Sequence, residues 1–383
     1  MTKKLIFLII IGITLSCNNS KKKSKPIEKD STLIAIQETA NIMLKDSTIN
    51  SVSISVYHDG KEYTEHFGEL DKGKGNTPTD KTVYEIASVT KTFTGYLIAK
   101  AVIDHKIALE DDVRKYLEGS YPNLEYNGNP IRIKDIITHT ARLPANIKKM
   151  EEIMKNTDFS KVYAQDSIIF EIAKAFKSTT RETFFNELKE VAIDTVPGIK
   201  YSYSNNGANL AGHVLETVYN KDYNTLLREH IFSKALMNSS YSLYSDKITL
   251  ANGYNNNGRL MPFVSLDNSF GAEGSIKSTT PDMINYIKFQ LEKDKYVEES
   301  FSKKYKLGEN WVGYFWRIEK NDDNVEYYRH HGASFGTQNM LYIVPEYNSG
   351  IHIITNVSGQ STYKNLTNAG NRLIKNLIRK NIN

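Results

Sequence analysis

The 383-residue sequence has a single cysteine, Cys17, so it can form no intramolecular disulfide bond. It also lacks an internal repeat and a heptad run, which argues against a coiled coil. Hydrophobic residues make up 40% of the chain and charged residues 24%, close to the averages for globular proteins. Disorder is therefore a poor interpretation, and the length allows one large domain with a core that can enclose a site.

An excess of positive charge is missing from the part of the chain that can fold. The formal net charge is +5, but six lysines lie within the first 25 residues, and without them the net charge is −1. Nucleic-acid binding needs a clustered cationic face, so the sequence gives no electrostatic case for a nucleic-acid partner. The six are Lys3, Lys4, Lys21, Lys22, Lys23 and Lys25.

The longest apolar run covers only residues 5–15, which is too short to span a bilayer. Lys3 and Lys4 precede this run, and the small residue Ser16 follows it. A basic start, a short apolar run and a small residue are typical of an export signal.

Cys17 predicts attachment to lipid. A cysteine directly after the apolar run resembles the processing site of bacterial lipoproteins, although Thr14 stands where leucine is usual. We therefore predict a lipoprotein signal peptide at 1–17 and a flexible tether at 18–30. The protein would be lipid-anchored in the bacterial cell envelope, facing the periplasm or the exterior. An ordinary cleaved signal is the alternative.

Hydrophobic periodicity predicts strands near both ends of the folded region and helices between them. We expect an α+β sandwich over 31–383, in which one antiparallel sheet is flanked by N- and C-terminal helices and carries an inserted all-α region at about 106–275. The predicted strands are a hairpin over 52–67 with its turn at Asp59-Gly60, then 312–318, 325–330, 338–344 and 350–356. The predicted helices are 33–45, 90–102, 132–139, 166–177, 181–192, 206–219, 222–233, 282–293 and 364–380.

A serine and a lysine three positions apart form the first candidate catalytic pair. A serine hydroxyl needs a neighbouring base to become a nucleophile, and positions three apart lie on one face of a helix. Ser88 and Lys91 stand at the start of the apolar helix predicted from residue 90, where burial favours a neutral amine. The same spacing begins at Ser20, Ser300 and Ser361, and Ser88 could instead be an ordinary helix N-cap.

Two further motifs follow in order. A Tyr-x-Asn motif lies at 203–205, before a predicted helix, and a His-x-Gly motif lies at 330–332, on a late strand. With the Ser-x-x-Lys tetrad at 88–91, they resemble the serine β-lactamase and penicillin-binding protein superfamily. Within it, the chain is similar to the class C β-lactamase-like group of D-alanyl-D-alanine carboxypeptidases, D-aminopeptidases and esterases. The resemblance covers about 33–380 and implies the β-lactamase/transpeptidase-like fold.

The resemblance implies three catalytic residues. Ser88 would attack a carbonyl carbon and form an acyl-enzyme, while Lys91 and Tyr203 would relay its proton. Whether Lys91 or Tyr203 is the base for acylation stays open. Backbone amides of Ser88 and Ala333 would form the oxyanion hole.

The resemblance also implies the substrate-binding residues Asn205, His330, Gly332 and Ala333. His330 stands where many members have lysine, so we expect a group that titrates near neutrality, binds carboxylates more weakly and favours ester or D-amino-peptide substrates over β-lactams. The alternative is a pair of strand histidines, His330 and His331, that only flank the sheet. No ligand set with metal spacing accompanies them, and we predict neither a metal nor a cofactor.

Two residues depart from the family pattern. Arg142 stands where glycine is usual before Leu-Pro, and we expect it to reshape a loop. Glu273 interrupts a pair usually written Gly-Gly, and we expect it to alter the rim of the site.

The sequence thus predicts a serine hydrolase that cleaves an ester or amide, whether peptide, β-lactam or small ester, through an acyl-enzyme on Ser88. Its partners would be a small-molecule or peptide substrate and, through the lipid, a membrane. One alternative is a catalytically weak penicillin-binding or sensory envelope lipoprotein on the same scaffold. Another is a purely structural envelope lipoprotein.

Overall fold

The computed structural model describes residues 30–158, 160, 164–243, 249–264 and 271–379. Cys17, the predicted signal peptide and the tether up to residue 29 lie outside this part of the chain, and their assignment stays a prediction. Residues from Ser31 onward form one unit. None of the helices in the described ranges is long and apolar enough to cross a membrane.

The predicted helices are present, several with shorter bounds. Three short helices were not predicted, at Lys148–Asn156, Gly271–Gly274 and Lys295–Ser300, because none is long enough to show a clear apolar periodicity. In chain order the helices are α1 Ser31–Met43, α2 Thr90–Ile103, α3 Ile133–Ile137, α4 Lys148–Asn156, α5 Ala164–Ser178, α6 Arg181–Glu190, α7 Asn205–Tyr219, α8 Tyr223–Leu227, α9 Gly271–Gly274, α10 Thr280–Gln290, α11 Lys295–Ser300 and α12 Gln360–Arg379. Single turns of 3-10 helix lie at Ala87–Val89, Val113–Tyr116 and Pro345–Tyr347, and a π turn at Arg228–Phe232.

One large antiparallel sheet joins the two ends of the folded region, as predicted. Its eight strands lie in the order β2-β1-β14-β13-β12-β11-β10-β9, so the early hairpin pairs with the last long strand, with Ile54 opposite Ile353. In chain order the strands are β1 Ser51–His58, β2 Lys61–Gly68, β3 Tyr84–Glu85, β4 Glu125–Tyr126, β5 Asn129–Pro130, β6 Gly253–Asn255, β7 Leu260–Met261, β8 Lys277–Ser278, β9 Tyr305–Leu307, β10 Asn310–Gly313, β11 Trp316–Lys320, β12 Glu326–Ala333, β13 Gln338–Val344, β14 Ser349–Thr355 and β15 Val357–Ser358.

Two expectations about strands were wrong. The single strand predicted at 312–318 is two strands, β10 and β11, because Tyr314 and Phe315 take positive φ angles of 48° and 70° and reverse the chain. The region at 106–275 also contains short strands, and β6 pairs with β7 and, in parallel, with β15. Runs of two or three residues are too short for a period-2 pattern to reveal.

Both faces of the sheet are buried. Alternate residues of β13 point to opposite sides: Met340 and Tyr342 join the core beneath α1 and α12, whereas Leu341 and Ile343 join the core that contains α2 and α10. Side chains that lie on opposite faces of a strand alternate with period two. The second core therefore lies between the sheet and the helices that carry the candidate site.

Close contact between α2 and the β10–β11 turn depends on a glycine. A Cβ atom placed on Gly95 would lie 2.2 Å from the carbonyl oxygen of Tyr314, which is too short for a non-bonded contact between carbon and oxygen. Gly95 thus allows the helix that follows Ser88 to lie directly against the turn. Larger side chains there would force the two elements apart.

Gly95→Ala should lower the free energy of unfolding by about 1–3 kcal/mol, the usual cost of overpacking a core. Gly207→Ala is the matched control, because its Cβ would meet only the side chains of Ser204 and Ile136, at 3.6 Å or more. That helical substitution should leave stability unchanged or raise it by up to about 1 kcal/mol. Urea unfolding of both variants measures the difference, and equal stabilities would contradict the tight approach.

Candidate active site

Ser88 lies on a strained turn between β3 and α2. The residue before it, Ala87, has φ of +47°, in the left-handed region that disfavours side chains other than glycine. The start of β13 holds this turn: Thr337, just before the strand, donates its hydroxyl to the Glu85 carbonyl at 3.0 Å, and Asn339 donates its amide to the Ile86 carbonyl at 3.0 Å. Strain that the surroundings maintain is a frequent property of functional sites.

Gly332 belongs to the same support. A Cβ atom on Gly332 would lie 2.2 Å from the carbonyl oxygen of Ile86, so only glycine lets β12 pass so close to the Ser88 turn. This contact gives a physical reason for glycine in the His-x-Gly motif. It also explains how residues 332 and 333 come beside a serine more than 240 positions earlier in the chain.

The Ser88 hydroxyl and the Lys91 amine meet as the spacing predicted. Lys91 Nζ donates to Ser88 Oγ at 3.1 Å, to Asn205 Oδ1 at 2.8 Å and to the Glu273 carbonyl oxygen at 2.7 Å. The N-cap of α2 is Val89, without a side-chain cap, so the alternative interpretation of Ser88 as an N-cap is wrong. Three acceptors thus surround the three hydrogens of a lysine ammonium group.

Lys91 is fully buried. Burial lowers the pKa of its amine from the usual lysine value, and the negative charge of Glu273 opposes that change. Since removing a charge from water is costly, part of the Lys91 population is neutral at a lower pH than for an exposed lysine. A neutral amine has a lone pair that can accept a proton.

Tyr203 comes to the same serine from the other side. Its hydroxyl donates to Ser88 Oγ at 2.9 Å, and Lys91 Nζ lies 5.0 Å from its ring centroid. Burial of the hydroxyl raises the pKa of Tyr203 above the usual tyrosine value. The phenol is therefore protonated near neutral pH. Of the two groups, Lys91 is the easier to deprotonate, because burial lowers its pKa.

The segment at 139–146 holds the Tyr-x-Asn motif in place. His139 accepts the backbone N–H of Ser204 on Nδ1 at 3.2 Å, and its ring lies 4.4 Å from that of Tyr203. Asn146 accepts the side-chain amide of Asn205 on Oδ1 at 2.8 Å. Both ends of the Asn205 amide are thus bonded, one to Lys91 and one to Asn146. Sequence reasoning missed Asn146, which no motif marks.

Arg142 occupies a loop position that favours glycine, with φ of +63°. Its guanidinium forms two hydrogen bonds with the Asp194 carboxylate, at 2.8 and 2.6 Å. An ion pair on the outer side of the loop thus accompanies a backbone conformation that the family usually gives to glycine.

His330 is not a group that titrates near neutrality, which corrects the sequence expectation. It is buried, and burial followed by the positive charge of Lys91 lowers its pKa well below the usual histidine value. Its Nδ1 donates to the His331 carbonyl at 2.9 Å, so the neutral ring keeps its proton there. His330 therefore brings no positive charge to the site at physiological pH.

The predicted site residues converge on one cavity of about 400 Å³. Ser88, Tyr203, Asn205, His330 and Ala333 all line it, whereas Lys91 lies beneath Ser88 and Gly332 supports the turn. The remaining walls come from residues that were not among the predicted catalytic or substrate-binding residues: His139, Tyr201, Val312, Phe315, Arg317, Arg329, His331 and Tyr363.

Arg317 is the cation of this cavity that has no carboxylate partner in the described part of the chain. Arg329 is paired with Glu319 through two hydrogen bonds of 2.8 and 2.7 Å, but the guanidinium of Arg317 lies over the ring of Tyr201, 4.5 Å from its centroid. A guanidinium has five donors in a planar fork that fits a carboxylate. Positive charge thus comes from β11 and not from His330.

Glu273 was expected to alter the rim of the site, and this expectation was wrong. Glu273 is buried, its carbonyl oxygen accepts the hydrogen bond from Lys91, and its carboxylate accepts the Asn209 amide at 3.0 Å. The departure from Gly-Gly therefore adds a buried acidic group to the residue that binds Lys91.

A serine, a histidine and an aspartate are joined by hydrogen bonds outside this cavity, but they cannot act as a catalytic triad. Ser53 Oγ lies 2.9 Å from His66 Nδ1, and His66 Nε2 lies 3.0 Å from Asp80. Ser53 is fully buried within β1, so no acyl donor can reach its hydroxyl.

Among the residues that the structure describes, no group of three or more His, Cys, Asp or Glu side chains could hold a metal ion.

The fold and the site define the class. An antiparallel sheet flanked by helices, with a serine and a lysine one turn apart at the start of a buried helix, is the β-lactamase/transpeptidase-like arrangement. The family model described as Beta-lactamase matches residues 37–374, and the chain belongs to that family.

Solved structures support the same fold. A β-lactamase/D-alanine carboxypeptidase from Yersinia pestis, complexed with citrate, superposes with a TM-score of 0.74 at 20% identity, covering 91% of this chain and 98% of that one. An octameric penicillin-binding protein homologue from Pyrococcus abyssi has a TM-score of 0.71 at 23% identity, covering 88% and 76%. A class C β-lactamase has a TM-score of 0.74 at 16% identity, covering 92% and 98%.

The matches to curated relatives cover only part of the length of those proteins. Protein flp of Staphylococcus aureus is 26% identical over 341 residues, and the match covers 83% of this chain but 61% of that protein. A β-lactamase of Pseudomonas fluorescens is 22% identical over 259 residues, covering 67% and 64%. The chain thus spans about three fifths of the length of these relatives.

Proposed function

We propose that the protein is a serine hydrolase that cleaves an ester or amide through an acyl-enzyme on Ser88. One observation carries the proposal: the Ser88 hydroxyl faces a ligand-sized cavity and is bonded at once to Lys91 and Tyr203. A hydroxyl within hydrogen-bond distance of a base is the requirement for nucleophilic catalysis by serine. The ester or amide carbon would bond to Ser88 Oγ, and the leaving group would depart with a proton.

Lys91 is the base for acylation in this proposal. Its neutral form has a lone pair directed at Ser88 Oγ, whereas Tyr203 would have to lose a proton that burial makes harder to remove. Lys91 takes the serine proton during attack, and a proton then passes from Lys91 by way of Tyr203 to the leaving group, so that both groups return to their starting protonation states. Asn205 keeps the amine oriented, since its side-chain oxygen accepts one of the lysine hydrogens.

A fluorescent fluorophosphonate should label the wild-type protein, and Ser88→Ala should abolish labelling, because the acyl acceptor is removed. Ser361→Ala is the matched control, because Ser361 begins the same Ser-x-x-Lys spacing outside the cavity. This variant should be labelled as strongly as the wild type. Intact-mass spectrometry with a penicillin, a peptide ester and an acetyl ester then identifies the acyl donor. Undiminished labelling of the alanine variant, or no adduct from any donor, would support a binding protein instead.

Lys91→Met should slow labelling of Ser88 by roughly 10²–10⁴-fold, the usual contribution of a general base. Tyr203→Phe should slow it less, because the base remains. In the wild type the rate should rise with pH and level off well below the ordinary lysine pKa, since the deprotonated amine is active and burial lowers its pKa. Stopped-time labelling across pH gives these rates, and a larger loss in Tyr203→Phe would assign the base to tyrosine.

The cavity favours acyl donors that carry a carboxylate. Arg317 and the neutral His330 line the same space, so a substrate anion would find its positive partner on β11. A hydrogen bond to a charged group contributes about 1.5–3 kcal/mol. A free carboxyl terminus or an acidic side chain near the cleaved bond would provide such an anion.

Arg317→Gln should lower kcat/KM at least about 10-fold for an ester with a nearby carboxylate, because one charged hydrogen bond is lost. The neutral methylated analogue of the same ester should react equally with both proteins. Arg181→Gln, at an exposed arginine paired with Glu216, is the control and should leave kcat/KM unchanged for both esters. An equal loss for the charged and neutral esters would mean that Arg317 has only a structural role.

A further inference from the structure

Glu273 is a buried acid that the mechanism above does not use. It lies on α9, and one asparagine holds it at two points. Asn209 on α7 donates its amide to Glu273 Oε2 at 3.0 Å and accepts the backbone N–H of Glu273 at 3.1 Å. The first contact holds the carboxylate and the second holds the backbone, and the side chain is buried. A carboxyl group kept out of water needs a specific reason to be there, because its ionised form is costly to bury.

The neighbouring charge is Lys91. The backbone carbonyl oxygen of Glu273 accepts a hydrogen bond of 2.7 Å from Lys91 Nζ, so the amine is anchored to the same residue that carries the carboxyl group, and both residues are buried. Burial raises the pKa of Glu273, and the positive charge of Lys91 opposes this. The same pair of effects, with opposite sign, acts on Lys91.

The other groups that face this cluster either are neutral or oppose a positive charge on Lys91. The buried rings of His139 and His330 have pKa values held well below the histidine range, partly by Lys91 itself. Tyr203 is protonated, and Arg317 on β11 adds positive charge. Among the described residues around Lys91, Glu273 is therefore the acid that can stabilise its ammonium form.

We propose that Glu273 is a positioning residue whose carboxylate controls the charge of Lys91. While Glu273 is ionised, the ammonium form of Lys91 is favoured and its hydrogens are directed at Ser88, Asn205 and the Glu273 carbonyl. When Glu273 is neutral, Lys91 loses its counter-charge and becomes a base more readily. The consequence for catalysis rests on the proposed function, but the control of charge does not.

Glu273→Gln removes the negative charge and keeps an oxygen that can accept the Asn209 amide. NMR titration of Lys91 in protein carrying carbon-13-labelled lysine, with the signal assigned by its loss in Lys91→Arg, should give a midpoint about one pH unit lower than in the wild type. Glu273→Gly, which restores the residue usual in the family, should move the midpoint in the same direction. Glu216→Gln, at a carboxylate of α7 paired with His213, should leave it unchanged.

An unchanged or higher midpoint in a folded Glu273→Gln variant would overturn the proposal. The acid limb of the Ser88 labelling rate should move to lower pH by the same amount as the NMR midpoint. A shift of the midpoint without any labelling of Ser88 would contradict the proposed function alone. Labelling with an unmoved acid limb and an unmoved midpoint would contradict only the role of Glu273.

Discussion

The site depends on a lysine amine that is sealed inside the protein. Lys91 has no exposed surface, and a charge so placed is costly unless every hydrogen has an acceptor. The three acceptors come from different parts of the chain: the turn before α2, the start of α7, and α9. Packing these elements together therefore assembles the site and satisfies the amine at the same time. Displacement of any one of them would leave a buried donor without a partner.

A second constraint keeps the proposed nucleophile, Ser88, accessible while its proposed base, Lys91, is buried. The strained turn at Ala87 brings Ser88 out of the core just before Lys91 returns into it. The strain is sustained because Thr337 and Asn339, at the start of β13, donate hydrogen bonds to the Glu85 and Ile86 carbonyls, and Gly332 lets β12 pass close to the same turn. The large sheet thus acts as the support of a single turn, since its late strands are fixed in register by pairing with strands from the start of the fold.

Much of this arrangement could be predicted from local patterns. The alternation of Val52, Ile54 and Val56 with polar residues predicted β1, and the Ser-x-x-Lys spacing predicted the contact between Ser88 and Lys91, because both follow from one element of regular structure. The turn that divides residues 312–318 could not be predicted, since Tyr314 and Phe315 adopt positive φ without a glycine to mark them. Short strands such as β6 and β15 exist only through pairing between distant segments.

Electrostatic roles were harder to predict than positions. The sequence identified His330 correctly as a cavity residue but assigned it a titration near neutrality, because a residue type says nothing about burial. Glu273 was noticed as a departure from a motif, yet its place beneath Lys91 follows only from the fold. Arg317 had no signal at all, and its importance comes from its place in the cavity, where the described residues give it no salt bridge of its own. Charge in this site is thus a property of tertiary structure: burial removes it from the histidines, and the guanidinium of Arg317 supplies it from the neighbouring strand. A motif can identify the nucleophile, but the preference for a charged or neutral substrate depends on groups that the motif does not contain.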